Sequence, residues 1–287
     1  MTQNDYSALA REAGLERVGA RPPIWAYLKD LWATRHFAIL LARFRIEASL
    51  GENRLGLGWI VLRPILLAVI FGTIFGLILS RDTRPGVNFI PFLVVGIFIF
   101  EFFSKSFSAG AKSITSNSSL VRSMSFPRML LPIAKIIQQV FELIPMLIVM
   151  GAILLIFGEP VTWAWLLVIP VMVLMTLFNT GVALIAARLT VHVRDVTQII
   201  PLVTRVLFYS SGIFYSLEAV LEDRPGILAV AQLNPVHGYI TLVRQFTVSG
   251  SDPLGTPGWI VVTAGAVVTF LVGVVFFWRA EERYGRD

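Results

Sequence analysis

The sequence predicts an all-α membrane protein with six transmembrane helices, an N-terminal amphipathic interface helix and a re-entrant, half-helical segment before the last span. Three observations carry this prediction. The 287 residues are 56% hydrophobic and only 15% charged, with a mean hydropathy of +0.75, a balance that excludes an ordinary soluble domain. Six apolar segments reach the ~20 residues needed to cross a hydrocarbon core. The Lys and Arg residues between those segments fall mostly on one side.

In chain order, the first 24 residues mix both charge signs and hold no continuous apolar core, so they read as a retained cytosolic segment, not a cleavable signal peptide. Residues 25–46 place Trp25, Leu28, Leu31, Trp32 and Arg35 at helical spacing with charges between them, the pattern of a helix lying on the inner membrane face. The chain thus divides into a cytosolic N-terminal segment, 1–58, and a membrane unit, 59–287. Spans are expected at 59–80, 89–107, 130–157, 163–187, 199–217 and 259–278. Trp59, Trp163, Trp259 and Trp278 fall at span ends, where an indole anchors at the interface. The loop 108–129 is polar and basic. The outer segment 218–258 is too long for a plain connection. Its apolar piece, 227–233, is too short to cross, which suggests half-helices broken at Asn234-Pro235.

Of the 24 Lys and Arg, 18 lie on the side of the N-terminus and only Arg81, Arg84, Arg224 and Arg244 on the other; Lys135 and Arg205 lie inside spans. This asymmetry places both termini in the cytosol and the chain in the cytoplasmic (inner) membrane. It also accounts for the net charge of +6 without nucleic acid, because the positive side faces anionic headgroups.

Catalytic chemistry finds little support. There is no cysteine, and the three histidines are scattered over both sides of the membrane, so no metal site is expected. A phosphate cradle needs G-x-x-x-x-G-K-[ST]. The nearest approach, Gly110-Ala111-Lys112-Ser113, lacks the Gly-Lys pair. Glu142 stands near the middle of the third span, where an ionisable group marks either a proton relay or a structural pair with a neighbouring helix. Glu101 and Lys105 are four apart and read as a surface ion pair. Gly72 and Gly76 form a G-x-x-x-G pair, the pattern of either a contact between subunits or internal packing. Asn117-Ser118-Ser119 fits a glycan sequon, but topology puts it in the cytosol. The aromatics concentrate at 98–107 and 208–215. Phe98, Phe102, Phe103, Phe208, Tyr209, Phe214 and Tyr215 are candidates to line a sugar conduit, against the plainer reading of aromatic packing.

Four stretches in this order resemble the permease subunit of ABC-2-type exporters, in the branch that moves lipid-linked polysaccharides such as O-antigen, teichoic acid and galactan. They are Leu55-Gly56-Leu57-Gly58-Trp59 with Arg63-Pro64; Asn117, Leu120-Val121 and Phe126-Pro127-Arg128; Arg194-Asp195-Val196 with Phe214-Tyr215; and Leu233-Asn234-Pro235 with Arg244. Where many members carry an Arg-Gly-Ser-like run, this chain has Gly51-Glu52-Asn53-Arg54. The resemblance implies a homodimeric pore served by two copies of a separate ABC ATPase, which holds the ATP and Mg; this chain itself binds no cofactor and is not an enzyme. It implies a polyprenyl-diphosphate-linked glycan as substrate, with the N-terminal region favouring galactan. Asn117, Leu120, Val121, Arg122, Met124, Phe126, Pro127, Arg128, Arg194 and Asp195 become the expected ATPase-coupling residues. In that reading Leu120, Val121 and Met124 form an exposed apolar knob, and Arg122 and Arg128 pair with partner acids or lipid phosphate. Asn234, Pro235 and Arg244 form the outer gate element, and Gly72 and Gly76 the dimer contact. Export of a small hydrophobic molecule, or a proton-coupled transporter working through Glu142, are the alternatives.

Overall fold

The computed structural model describes residues 22–52, 58–74, 87–124 and 126–281; their regular structure is helical, with no strand among them. Helix α1, Ile24–Ala33, buries Tyr27 and leaves Trp25 and Trp32 exposed. It ends at Thr34, whose hydroxyl donates to Asp30 O at 2.7 Å, and α2, Arg35–Glu52, sets off at once. The expected single interface helix is therefore two. Helix α2 uses the small residues Ala38 and Ala42 to approach the next-but-two apolar helix, where Leu130 and Ala134 are fully buried.

Helix α3, Gly58–Gly72, contains Pro64 and has 15 residues. It is the described part of the expected span 59–80, of which residues 75–80 lie outside the described residues. Helix α4, Phe89–Ala111, runs one turn beyond the expected span. From Pro91 to Phe103 it is buried on every side because α3 and the later helices surround it, so it forms the axis of the unit. The short α5, Ser118–Ser123, follows in the polar loop. Helix α6, Leu130–Ile156, and helix α7, Val168–His192 with its lead-in turn Trp163–Leu167, are full-length apolar helices.

Helix α8, Val196–Ser210, ends seven residues before the expected boundary. Gly212, at φ +68, turns the chain sharply there, a conformation that a side chain resists. The short α9, Leu217–Val220, is capped by Ser216. Helices α10, Pro225–Gln232, and α11, Pro235–Thr247, meet at 89°, with Asn234 Oδ1 accepting the Val236 N–H at 3.0 Å. The break expected at Asn234-Pro235 is present. Helix α12, Thr256–Trp278, completes the unit.

Four of these helices are long and apolar enough to cross a membrane, or five if the bent pair is one span; α3 and α8 are shorter apolar helices. The tightest seam joins α7 to α12. A Cβ on Gly181 would collide with the backbone of Thr269 and Phe270, and one on Gly273 with the Gly181 backbone, so only glycine permits this approach.

Candidate functional site

The loop between α4 and α6 is built inward as much as outward. Asn117 donates from Nδ2 to Ser113 O at 2.6 Å and accepts from Arg45 Nη2 at 2.6 Å, fastening the loop to α2. Burial of the Arg45 guanidinium pulls its pKa down, and its Nη1 is buried with no hydrogen-bond partner. Val121 is buried in a cluster with Ile114, Met129, Leu131 and Leu184, and Leu120 packs half-buried against it. The expected apolar knob of Leu120, Val121 and Met124 is thus corrected: helical rotation aims Val121 into the core, and Met124 alone of the three is exposed. Phe126 rests on Phe37 with ring centroids 5.4 Å apart.

Arg128 is also turned inward. Its Nη1 donates to Glu281 O at 2.7 Å and its backbone N–H to Glu281 Oε1 at 3.0 Å. Tyr27 OH donates to Glu281 Oε2 at 2.9 Å and accepts the Met129 N–H at 3.1 Å. The half-buried guanidinium, expected to meet a partner or a lipid phosphate, gives Nη1 to the chain's own residues after α12, because burial of the corner leaves its polar groups to be satisfied internally. Burial raises the Glu281 pKa, although the Arg128 N–H, the Tyr27 hydroxyl and the Arg128 charge oppose the shift.

Beside this corner lies an open groove of about 780 Å³. One wall carries Thr115, Ser118 and Arg122, and the other Thr190, His192 and Arg194. Arg194 and Asp195 start α8: the Arg194 carbonyl accepts the Thr197 hydroxyl at 2.9 Å and the Asp195 carbonyl accepts the Gln198 N–H at 2.9 Å. Two segments more than sixty residues apart in sequence are thereby brought to one surface, with exposed cations on both walls.

At the far end, Arg244 on α11 is fully buried. Its Nε donates to Phe92 O at 3.0 Å, Nη1 to Gly212 O at 2.8 Å and Nη2 to Ile213 O at 2.9 Å, while its guanidinium carbon sits 3.3 Å from the Phe92 ring centroid. Gly96 makes the approach possible, since a Cβ there would stand 2.6 Å from Nη2. Asn234 Nδ2 donates to Ser211 Oγ at 2.9 Å, and the buried His237 ring lies 3.2 Å from Ser211 O and 3.7 Å from Glu218 Oε1. Burial alone would raise the Glu218 carboxyl, but the hydrogen bond and charge of His237 and the Ser216 hydroxyl outweigh it and hold the pKa down at about 2.

The sequence pattern of the ABC-2 type transporter family matches residues 35–247, well over half of the chain. The chain belongs to that family. This ABC-2 permease is similar to the O-antigen export system permease protein RfbA of Klebsiella pneumoniae, at 24% identity over 226 residues, covering 78% of this chain and 83% of that protein. It is similar to the RfbA of Myxococcus xanthus at 25% over 259 residues, covering 89% and 96%. It is also similar to the polysialic acid transport protein KpsM of Escherichia coli at 23% over 247 residues, covering 83% and 90%.

Within the ABC-2 permease, the expected conduit aromatics separate. Phe98, Phe102, Phe103 and Phe214 are buried inside the chain, Phe208 and Tyr215 are half-buried, and Tyr209 is 54% exposed. Tyr215 OH donates to Tyr209 O at 2.7 Å. Gly72 lies 3.8 Å from Leu93 on α4 by its would-be Cβ, an ordinary packing distance; Gly76, its expected partner, lies outside the described residues, as do Leu55, Gly56 and Leu57. Glu142 accepts Gln138 Nε2 at 3.0 Å within its own helix. Glu101 pairs with Lys105 at 3.6 Å and, from α3, with Arg63 at 3.9 Å. Sequence reasoning missed Tyr27, Arg45, Glu281, His237 and Glu218. Their signal was faint: each is a single polar residue whose partner lies far along the chain or in a loop.

Proposed function

We propose that this chain is the transmembrane permease of an ATP-driven exporter that moves a polyprenyl-diphosphate-linked polysaccharide, favouring galactan, across the cytoplasmic membrane. The observation that carries this reading is that three relatives, aligned over most of this chain, are named for the export of O-antigen or the transport of polysialic acid. The permease works as a homodimer with two copies of a separate ABC ATPase, which binds ATP and Mg. All six apolar segments cross, with α3 belonging to the first and the shorter α8 forming the fifth, and both termini lie in the cytosol; residues 1–58 form the cytosolic segment and 59–287 the membrane unit.

The groove between the α5 loop and the start of α8 receives the ATPase. Its cations at Arg122 and Arg194 suit an acidic partner surface, and exposed Met124 supplies an apolar contact beside them. Closure of the ATPase on ATP pushes the loop, and the push passes through Pro127 into α6. Tyr209 and Tyr215, at the outer end of α8, stand where a sugar chain leaves, and Asn234, Pro235 and Arg244 frame that exit.

The test is reconstitution of the permease with its ATPase in liposomes loaded with lipid-linked glycan. Export with glycan-stimulated ATP turnover supports the proposal, and galactan against O-antigen substrates decides the glycan. Absence of both export and stimulation overturns it.

A further inference from the structure

The family match stops at residues 35 and 247, yet the corner that leads into α6 is finished by two residues beyond those limits. The first N–H groups of a helix have no partner inside the helix, and an acceptor placed there also meets the positive end of its dipole. In α6 those donors include the N–H groups of Arg128 and Met129, just ahead of the helix proper. They are satisfied by Glu281 Oε1 at 3.0 Å and by Tyr27 OH at 3.1 Å, which come from opposite ends of the chain. Glu281 Oε2 then takes the Tyr27 hydroxyl at 2.9 Å, and the Glu281 carbonyl takes Arg128 Nη1 at 2.7 Å. One carboxylate therefore holds α1, the Phe126-Pro127-Arg128 corner and the residues after α12 together. A further stitch, Trp278 Nε1 to Pro22 O at 3.0 Å, joins the same two chain ends.

A buried carboxylate is a costly way to gain stability, since an apolar filling of similar volume often serves as well or better. What the carboxylate adds is fixed geometry between three elements. We propose that Glu281 and Tyr27 are positioning residues for energy coupling: they cap α6 from outside so that the corner, the interface helix α1 and the cytosolic end of α12 move as one lever when the ATPase pushes the loop. This rests on the coupling role proposed above for the loop, not on which glycan is carried.

The experiment uses the full complex with its ATPase, reconstituted and trapped with ATP and vanadate. Spin labels are placed at the exposed positions Trp25 on α1, Met124 in the loop and Val193 at the end of α7. Distances are read by double electron–electron resonance. The lever predicts that trapping leaves the 25–124 distance unchanged while 124–193 shifts. In Glu281→Ala the 25–124 distribution broadens on trapping, and ATP consumed per glycan exported rises about tenfold, the equivalent of one lost charge-assisted hydrogen bond. Tyr27→Phe shows the same direction in a variant that keeps the ring packed. A 25–124 distance that changes on trapping in the wild-type complex as much as 124–193 overturns the lever, whether or not the variants fold. Unchanged coupling in both variants overturns it too. The distance readout needs no glycan, so a wrong substrate would show as absent export with an intact lever, whereas a wrong lever shows in the distances.

Discussion

Arg45 Nη2 and Asn117 Oδ1 lie 2.6 Å apart and join residues 72 positions apart, on helix α2 and in the loop that precedes α5. Because Arg45 Nη1 is already buried without a partner, loss of the amide would leave a second buried donor unsatisfied. Asn117→Ala is expected to cost about 1–3 kcal/mol in denaturant unfolding of the detergent-purified permease. Asn117→Asp keeps the acceptor for Arg45 and adds charge but sets an oxygen against Ser113 O, so it should retain part of that stability. Equal loss in both variants would show that the clasp is incidental.

Arg244 serves three backbone carbonyls on two other segments. Arg244→Met strands all three and should destabilise by more than about 3 kcal/mol, seen as collapsed yield of folded protein on size-exclusion chromatography. Arg244→Lys, with a point charge in place of a planar fork, should rescue only part of this. A monodisperse, stable Met variant would refute the structural role.

The seam between α7 and α12 and the Gly72 position make opposite predictions. Gly181→Leu or Gly273→Val forces backbone apart and should lower stability by about 1–3 kcal/mol or more. Gly72→Ala meets only Leu93 at van der Waals distance and should be nearly neutral for folding. Thermal unfolding in one detergent compares all three.

The paired cations of the groove should govern capture of the ATPase. The double charge reversal Arg122→Glu with Arg194→Glu is expected to weaken binding at least about tenfold at low salt, with a smaller difference at high salt. Titration of the permease against immobilised ATPase at two ionic strengths measures it. No change in affinity would move the docking surface elsewhere.

Glu218 supplies a pH signature. Its folded pKa of about 2 lies below the ordinary carboxylate range, so its contribution to stability is fully present above that range and is lost as pH falls towards 2. Unfolding followed between pH 5 and the lowest pH that the detergent tolerates should show this loss in the wild type, and Glu218→Gln should flatten that part of the profile. Identical profiles would remove Glu218 from the account.

Much of this architecture could be read from the chain alone, because hydropathy and punctuation are local. Asn234-Pro235 marked a break that stands as an 89° bend. The stretches around Asn117 and Arg194 were singled out separately and meet on one groove. What escaped depends on direction and distance. The end of α8 hinges on the single positive φ of Gly212, which a glycine in an aromatic run does not announce. Val121 and Arg128 were expected to face outward, since nothing in a six-residue helix or the turn after it says which side meets Met129, Leu131 and Glu281. Phe98, Phe102 and Phe103 looked like a lining, and they are core because α4 is enclosed by its neighbours.

The junction of Glu281 with Arg128 spans 153 residues, and that separation is also an interval of time. At 5–20 residues per second, the corner before α6 is synthesised about 8 to 30 s before its cap. Until translation passes the last helix, Arg128 lacks its native acceptors on Glu281, whereas the Met129 acceptor, Tyr27, is already made. The order of synthesis thereby separates the corner from its cap: a chain stalled before residue 281 carries the corner without the carboxylate that fixes it to α1.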